Sequence, residues 1–126
     1  MDRKVLIVDD CDEIREVLAE LLMDAGYTVA LAAHPDQAAD HLQRDHFDVI
    51  LCDLVMPIEV GQECALVGVS AISKFSKSYP NIPVIAISGE LTGGPLNQMS
   101  LFGAKKALSK PFTREELLGA IESVVQ

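Results

Sequence analysis

Apolar residues along this chain fall into short runs separated by helical-period stretches. Val5-Leu6-Ile7-Val8 and Phe47-Asp48-Val49-Ile50-Leu51-Cys52 are apolar runs bounded by turn signals, the pattern of buried strands. Strands are predicted over residues 4–8, 27–31, 48–52, 82–87 and 105–109, the last with the poorest pattern. Between them, Ile14, Val17, Leu18, Leu21 and Leu22 recur at helical spacing and predict a helix over 12–25. Gly26 stops it at the usual C′ position. A weak helix is predicted over 35–45, with Pro35 at its start and Ala38, Ala39 and Leu42 on its apolar side. A longer one runs from about Gly61 to Ser78, with Leu66, Val69, Ile72 and Phe75 on one face; Tyr79-Pro80 ends it. Gly93-Gly94-Pro95 precedes a short helix at roughly 95–102. Thr113 caps the last helix, and Glu116 three residues later completes a capping box.

Strands alternating with helices imply βαβ crossovers and a parallel sheet covered on both faces. Five strands and five helices predict an α/β fold, a doubly wound three-layer sandwich. A length of 126 residues argues for one domain spanning 1–126. The initiating Met1 and the finish at Gln126, soon after the last predicted helix, fit a stand-alone single-domain protein, although an excised domain of a longer protein reads the same way.

Chemistry enters at the predicted strand ends. Asp9 and Asp10 follow the first strand, Asp53 follows the third, Ser88 follows the fourth, and Lys110 follows the fifth. Open parallel sheets place ligand sites outside the C-terminal ends of their strands. Carboxylates gathered there suit Mg²⁺, which takes oxygen ligands and keeps several waters. A carboxylate can attack phosphorus and hold an acyl phosphate, while a metal ion and a lysine offset the repulsion between anions. Any one of these aspartates alone reads equally well as a turn residue bonding local backbone, or as a helix cap, for which Asp9, Asp10 and Asp12 compete. Their joint occurrence at strand ends favours one phosphoryl-accepting site.

Charge narrows the partners. Nineteen acidic against ten basic residues give a formal charge of -9. Such a surface repels nucleic acid and anionic membrane, and Lys74, Lys77, Lys105, Lys106 and Lys110 form no large basic cluster. No direct nucleic-acid contact is expected. No stretch reaches the ~18 apolar residues of a membrane span, and Met1-Asp2-Arg3-Lys4 does not open a signal sequence. Cys11, Cys52 and Cys64 are odd in number and match no metal motif; a reducing cytoplasm fits them. His34, His41 and His46 read as solvated surface residues.

Taken together and in order, these segments resemble the receiver (response regulator) domain of bacterial two-component signalling over the full length. The segments that carry the resemblance are Val5-Leu6-Ile7-Val8-Asp9-Asp10, Asp53-Leu54-Val55-Met56-Pro57 with Gly61, Ile87-Ser88-Gly89, and Ser109-Lys110-Pro111-Phe112. The resemblance implies a flavodoxin-like, CheY-like sheet of order 2-1-3-4-5. It implies that Asp53 is phosphorylated by a phosphohistidine on a sensor histidine kinase or histidine phosphotransfer protein. Asp10 would bind Mg²⁺ directly, Asp9 mainly through water, and Asp53 and the Val55 carbonyl would complete the set. Ser88 and Lys110 would hold the phosphoryl oxygens. Catalysis would be limited to self-phosphorylation and autodephosphorylation, no separate cofactor site is implied, and output would be by protein–protein contact with a downstream target. Leu96, Met99 and Leu101 in the fourth predicted helix, together with the fifth strand and last helix, form the face through which such domains dimerise or bind targets.

Three departures stand out. The family's switch aromatic, three residues before the lysine, is Ala107. The position two after Asp53 is Val55, which cannot orient water by hydrogen bonding, and the companion position, two after Ser88, is Glu90. The stretch from Gly61 to Ser88 is about five residues longer than usual, more than one helical turn. Two other functions compete: a degenerate receiver acting as a phosphorylation-independent binding platform, and an aspartyl-phosphate phosphohydrolase. The hydrolase would need a general acid where Val55 stands and a substrate cap for which the chain has no room.

Overall fold

The computed structural model describes residues 3–9, 11–53, 65–88, 103–109 and 112–125. Five strands run Lys4–Val8 (β1), Thr28–Ala32 (β2), Val49–Asp53 (β3), Val84–Ser88 (β4) and Lys106–Ser109 (β5). Four helices are described: Asp12–Asp24 (α1), Pro35–Arg44 (α2), Ala65–Ser78 (α3) and Arg114–Val124 (α4). All strands pair parallel in the order β2-β1-β3-β4-β5, the flavodoxin-like order. The helix expected at 95–102, the loop at Leu54–Glu59 and the start of the long helix at Gly61 lie outside the described residues, as do positions 60–64 of the stretch expected to carry the insertion.

Alternation of side chains along each strand divides the core in two. Leu6, Val8, Ile50, Cys52, Val84 and Ala86 face one side, where Ala38 and Leu42 of α2 and Ala71, Ile72 and Phe75 of α3 cover them. Val5, Ile7, Val49, Leu51, Ile85 and Ile87 face the other, under Leu18 and Leu22 of α1 and Leu117, Ala120 and Ile121 of α4. β1, β3 and β4 are therefore buried on both faces, which is why their sequences are continuously apolar rather than alternating.

Two helix ends follow from local chemistry. At the end of α1, Gly26 has φ +98°. The Tyr27 N–H donates to Leu22 O at 2.9 Å and the Gly26 N–H to Met23 O at 3.0 Å, the paired bonds of a Schellman motif. Gly26→Ala keeps the contacts but forces a Cβ into left-handed backbone. The variant is expected to lose about 1 kcal/mol of unfolding free energy in urea melts, with no change in the slope. At α4, Thr113 Oγ1 accepts from Glu116 N at 3.0 Å and Glu116 Oε1 accepts from Thr113 N at 2.9 Å, the predicted capping box.

The α1 face departs from its expected phase. Leu18 and Leu22 are buried, and Ile14 and Leu21 half-buried. Val17, expected among the packing residues, is 56% exposed. Helical spacing admits a broad apolar stripe, but only one narrow line of α1 meets the sheet. Of the histidines, His34 and His46 are exposed as expected. His41 is instead half-buried: its Nε2 donates to Leu31 O at 3.0 Å, and its ring stands edge-on to Phe47.

Candidate functional site at the strand ends

Register brings the candidate residues toward one another. Val8 pairs with Cys52, so Asp9 stands one step beyond the last β1–β3 pair, beside Asp53 at the end of β3. Asp53 pairs with Ile87, and Ser88 pairs with Ser109. Adjacent strands lie about 4.8 Å apart, so four neighbouring strand ends converge within a few residues. Asp9 shares alternation with Val5 and Ile7, and Asp53 with Val49 and Leu51, which aims both toward the α1 and α4 side.

Both carboxylates are desolvated: Asp9 is 1% exposed and Asp53 6%. They are the buried charged residues among those described. Burial of an acidic group is costly and persists where something repays it. The neighbouring Cys52 thiol registers both charges. Burial pushes its pKa strongly up, and the negative charges of Asp53 and then Asp9 push it further. The thiol is therefore held protonated and inert, and its Sγ lies 3.6 Å from Asp53 O.

The loop after β1 is fixed by backbone contacts. Asp9 N donates to Ala32 O at 3.1 Å, extending the β1–β2 ladder by one residue. Asp9 Oδ1 accepts from Cys11 N at 2.9 Å, an Asx-type turn. Neither Asp9 nor Asp12 is the N-cap of α1; that position is Cys11, with no side-chain cap bond. Arg15 also holds this loop: its Nη1 donates to Asp9 O at 2.5 Å and its Nη2 pairs with Asp12. Arg15 was not singled out from sequence. The i,i+3 spacing of Asp12 and Arg15 signalled the ion pair, but not the reach back to Asp9.

Of the predicted site residues, Asp9 and Asp53 come together at adjoining strand ends. Ser88 ends β4, one residue beyond the partner of Asp53. Asp10, Val55, Lys110 and Glu90 lie outside the described residues; β5, which leads to Lys110, ends beside β4. Two desolvated carboxylates form a hard oxygen donor pair of the kind a small divalent cation takes. Among the described residues no group of three or more His, Cys, Asp and Glu gathers as a metal site. Ala107 pairs with Ala86 and packs half-buried against the α2 and α3 side of the core.

The model of the response regulator receiver domain family matches residues 5–122. The chain belongs to that family. It is 32% identical over 123 residues to Protein PilG of Pseudomonas aeruginosa, covering 97% of this chain and 87% of that one. It is 30% identical over 124 residues to the CAI-1 autoinducer sensor kinase/phosphatase CqsS of Vibrio cholerae, covering 98% of this chain but only 18% of that protein. The solved structure of the Vibrio cholerae chemotaxis protein CheY4 superposes with a TM-score of 0.87 at 31% identity, covering 99% of this chain and 100% of that one. This receiver domain is thus of the CheY-like type used in two-component phosphorelay signalling, which acts through a phospho-aspartate and protein–protein output. Among the described residues no helix is long and apolar enough to cross a membrane.

Proposed function

We propose that Asp53 is the phosphoacceptor of this receiver domain, taking its phosphoryl group from a phosphohistidine of a sensor histidine kinase or histidine phosphotransfer protein. The observation that carries this reading is the pair of buried carboxylates, Asp9 and Asp53, at adjoining strand ends. An Asp53 carboxylate oxygen attacks phosphorus, the new O–P bond forms as the N–P bond of the donor breaks, and the imidazole leaves with its electron pair and takes up a proton. Asp10 and Asp53, the Val55 carbonyl, and Asp9 through water are the residues that would hold Mg²⁺. Bound there, it would supply the positive charge that offsets repulsion between the carboxylate and the incoming phosphoryl oxygens. Lys110 contributes a flexible ammonium to those oxygens and Ser88 a hydroxyl donor. Burial of Asp53 limits bulk water at the acyl phosphate.

The same reading includes a fifth helix across 95–102, a single receiver domain over 1–126 and a cytoplasmic setting. Its output is contact with a downstream protein, with homodimerisation through the 95–102 helix, β5 and α4 as a further use of that face. Ala107 supports an output that does not run through an aromatic ring on β5: a methyl group has no alternative rotamer to convey. Ala107 also favours the rival reading of a phosphorylation-independent platform.

Intact-mass measurement after incubation with acetyl phosphate separates the two. The phosphoacceptor reading expects a single ~80 Da phosphoryl adduct that forms with Mg²⁺ and is absent in EDTA. A time course with no adduct, under conditions that label another receiver domain, would support the platform instead.

A further inference from the structure

Arg15 stands near the start of α1, yet its side chain is only 14% exposed. Two things oppose that placement. Burying a guanidinium costs hydration, and the start of a helix is the positive end of its dipole. What offsets both is a pair of contacts on the loop before the helix. Nη1 donates to Asp9 O at 2.5 Å and Nη2 pairs with Asp12. The Asp12 carboxylate is 82% exposed, and an ion pair so open to solvent contributes little. The bond to Asp9 is therefore the consequential one.

Together with three further contacts, that bond fixes the chain on either side of position 10. Asp9 N donates to Ala32 O at 3.1 Å, Cys11 N to Asp9 Oδ1 at 2.9 Å, and Arg15 N to Cys11 O at 3.0 Å. α1 opens at Cys11 without a side-chain cap, so the guanidinium supplies the tie between helix and strand end that a cap would give. We propose that Arg15 is a positioning residue for Mg²⁺: by holding Asp9 O against α1, it fixes the backbone from which Asp9 and Asp10 present their carboxylates. The inference rests on the phosphoacceptor reading above. Charge alone acts in the opposite sense. A guanidinium bonded to Asp9 repels a divalent cation held nearby, so a residue that only carried charge would, on removal, tighten Mg²⁺ binding. Positioning predicts weaker binding, because Mg²⁺ demands near-octahedral oxygen ligands and tolerates little displacement of them. The sign of one measured change separates the two.

The test is a Mg²⁺ titration of the full chain, read from the backbone amide shifts of Asp9 and Cys11 at a temperature where every variant is folded. Arg15→Met is expected to weaken Mg²⁺ binding about tenfold. Arg15→Lys keeps the charge but not the fork, and should weaken it about threefold. Asp12→Asn removes only the exposed partner and should change it less than about twofold. With acetyl phosphate as donor, the labelling deficit of Arg15→Met should shrink as Mg²⁺ is raised. Tighter or unchanged Mg²⁺ binding in Arg15→Met would overturn the proposal. So would a loss as large in Asp12→Asn, or a lower melting temperature with parental Mg²⁺ affinity, which would confine Arg15 to the fold. Arg15→Lys decides the matter if Arg15→Met does not fold: unchanged affinity there overturns the proposal. A parent that neither binds Mg²⁺ nor takes an adduct overturns the phosphoacceptor reading and this inference with it. A parent that does both, beside an unaffected Arg15→Met, overturns this inference alone.

Discussion

Asp53→Asn is expected to reduce the Mg²⁺-dependent phosphoryl adduct by at least about a hundredfold, to background, while leaving the fold intact. The amide has the shape of the carboxylate but no anionic oxygen, so it cannot serve as the nucleophile. Stability should not suffer, because the side chain removed is a desolvated anion standing beside another, Asp9. Replacing one of two neighbouring buried charges by a neutral group of equal size relieves repulsion and desolvation. An unfolding free energy equal to the parent's, or higher by about 1–2 kcal/mol, is expected. Metal linkage gives a second readout. Mg²⁺ at ten times its dissociation constant should stabilise the parent by about 1.4 kcal/mol and the variant by clearly less. Mass spectrometry with a thermal melt in Mg²⁺ and in EDTA measures all three. An adduct of parental stoichiometry in the variant would mean that another residue accepts the phosphoryl group.

Gly103→Ala is expected to cost about 2–4 kcal/mol, the largest loss of any exchange this small in the described residues. Two effects add. Gly103 has φ +104°, left-handed backbone that a Cβ resists. A Cβ there would also fall 2.1 Å from Ser76 Oγ and 2.4 Å from Ser76 Cβ on α3. Rotating the hydroxyl away removes the first clash but not the second, so α3 and the turn into β5 must separate. The double variant Gly103→Ala with Ser76→Gly removes the steric part, at about 1 kcal/mol for a glycine inside a helix, and retains the backbone part. Urea melts of the two single variants and the double variant form a cycle, and a coupling energy of about 1–2 kcal/mol is expected. Additive losses would locate the whole effect in the backbone. Because β5 leads directly to Lys110, the single variant should also label more slowly with acetyl phosphate.

How much of this was legible in the chain differs residue by residue. Lys4–Val8 was read to the residue, because four consecutive apolar side chains between polar neighbours admit one buried strand and little else. Gly26 and the Thr113–Glu116 capping box were equally legible, since both are local rules over three or four residues. β2, β3, β4 and β5 came within two residues of their observed limits, where hydrogen bonding to neighbours, rather than side-chain type, sets the ends. Arg15, Gly103 and His41 were not legible in their roles. Arg15 reaches back six residues to a carbonyl, Gly103 meets Ser76 across 27 positions, and His41 bonds a strand ten residues earlier. No periodicity encodes those meetings.

The sequence by itself determined the alternation of strands and helices, the parallel sheet with both faces covered, and the family to which the chain belongs. It also determined which residue types stand after each strand, because burial pattern and turn chemistry act over a few neighbours. Only the tertiary structure decided that Asp9 and Asp53 are both desolvated at adjoining ends. Only it decided that Val17 faces outward beside Met23 and Leu31, and that the turn at Gly103 admits no Cβ. Those facts depend on strand order, register and the angle at which helices cross the sheet. Each is set by contacts between residues far apart in the chain, where the packing of whole elements outweighs any local preference.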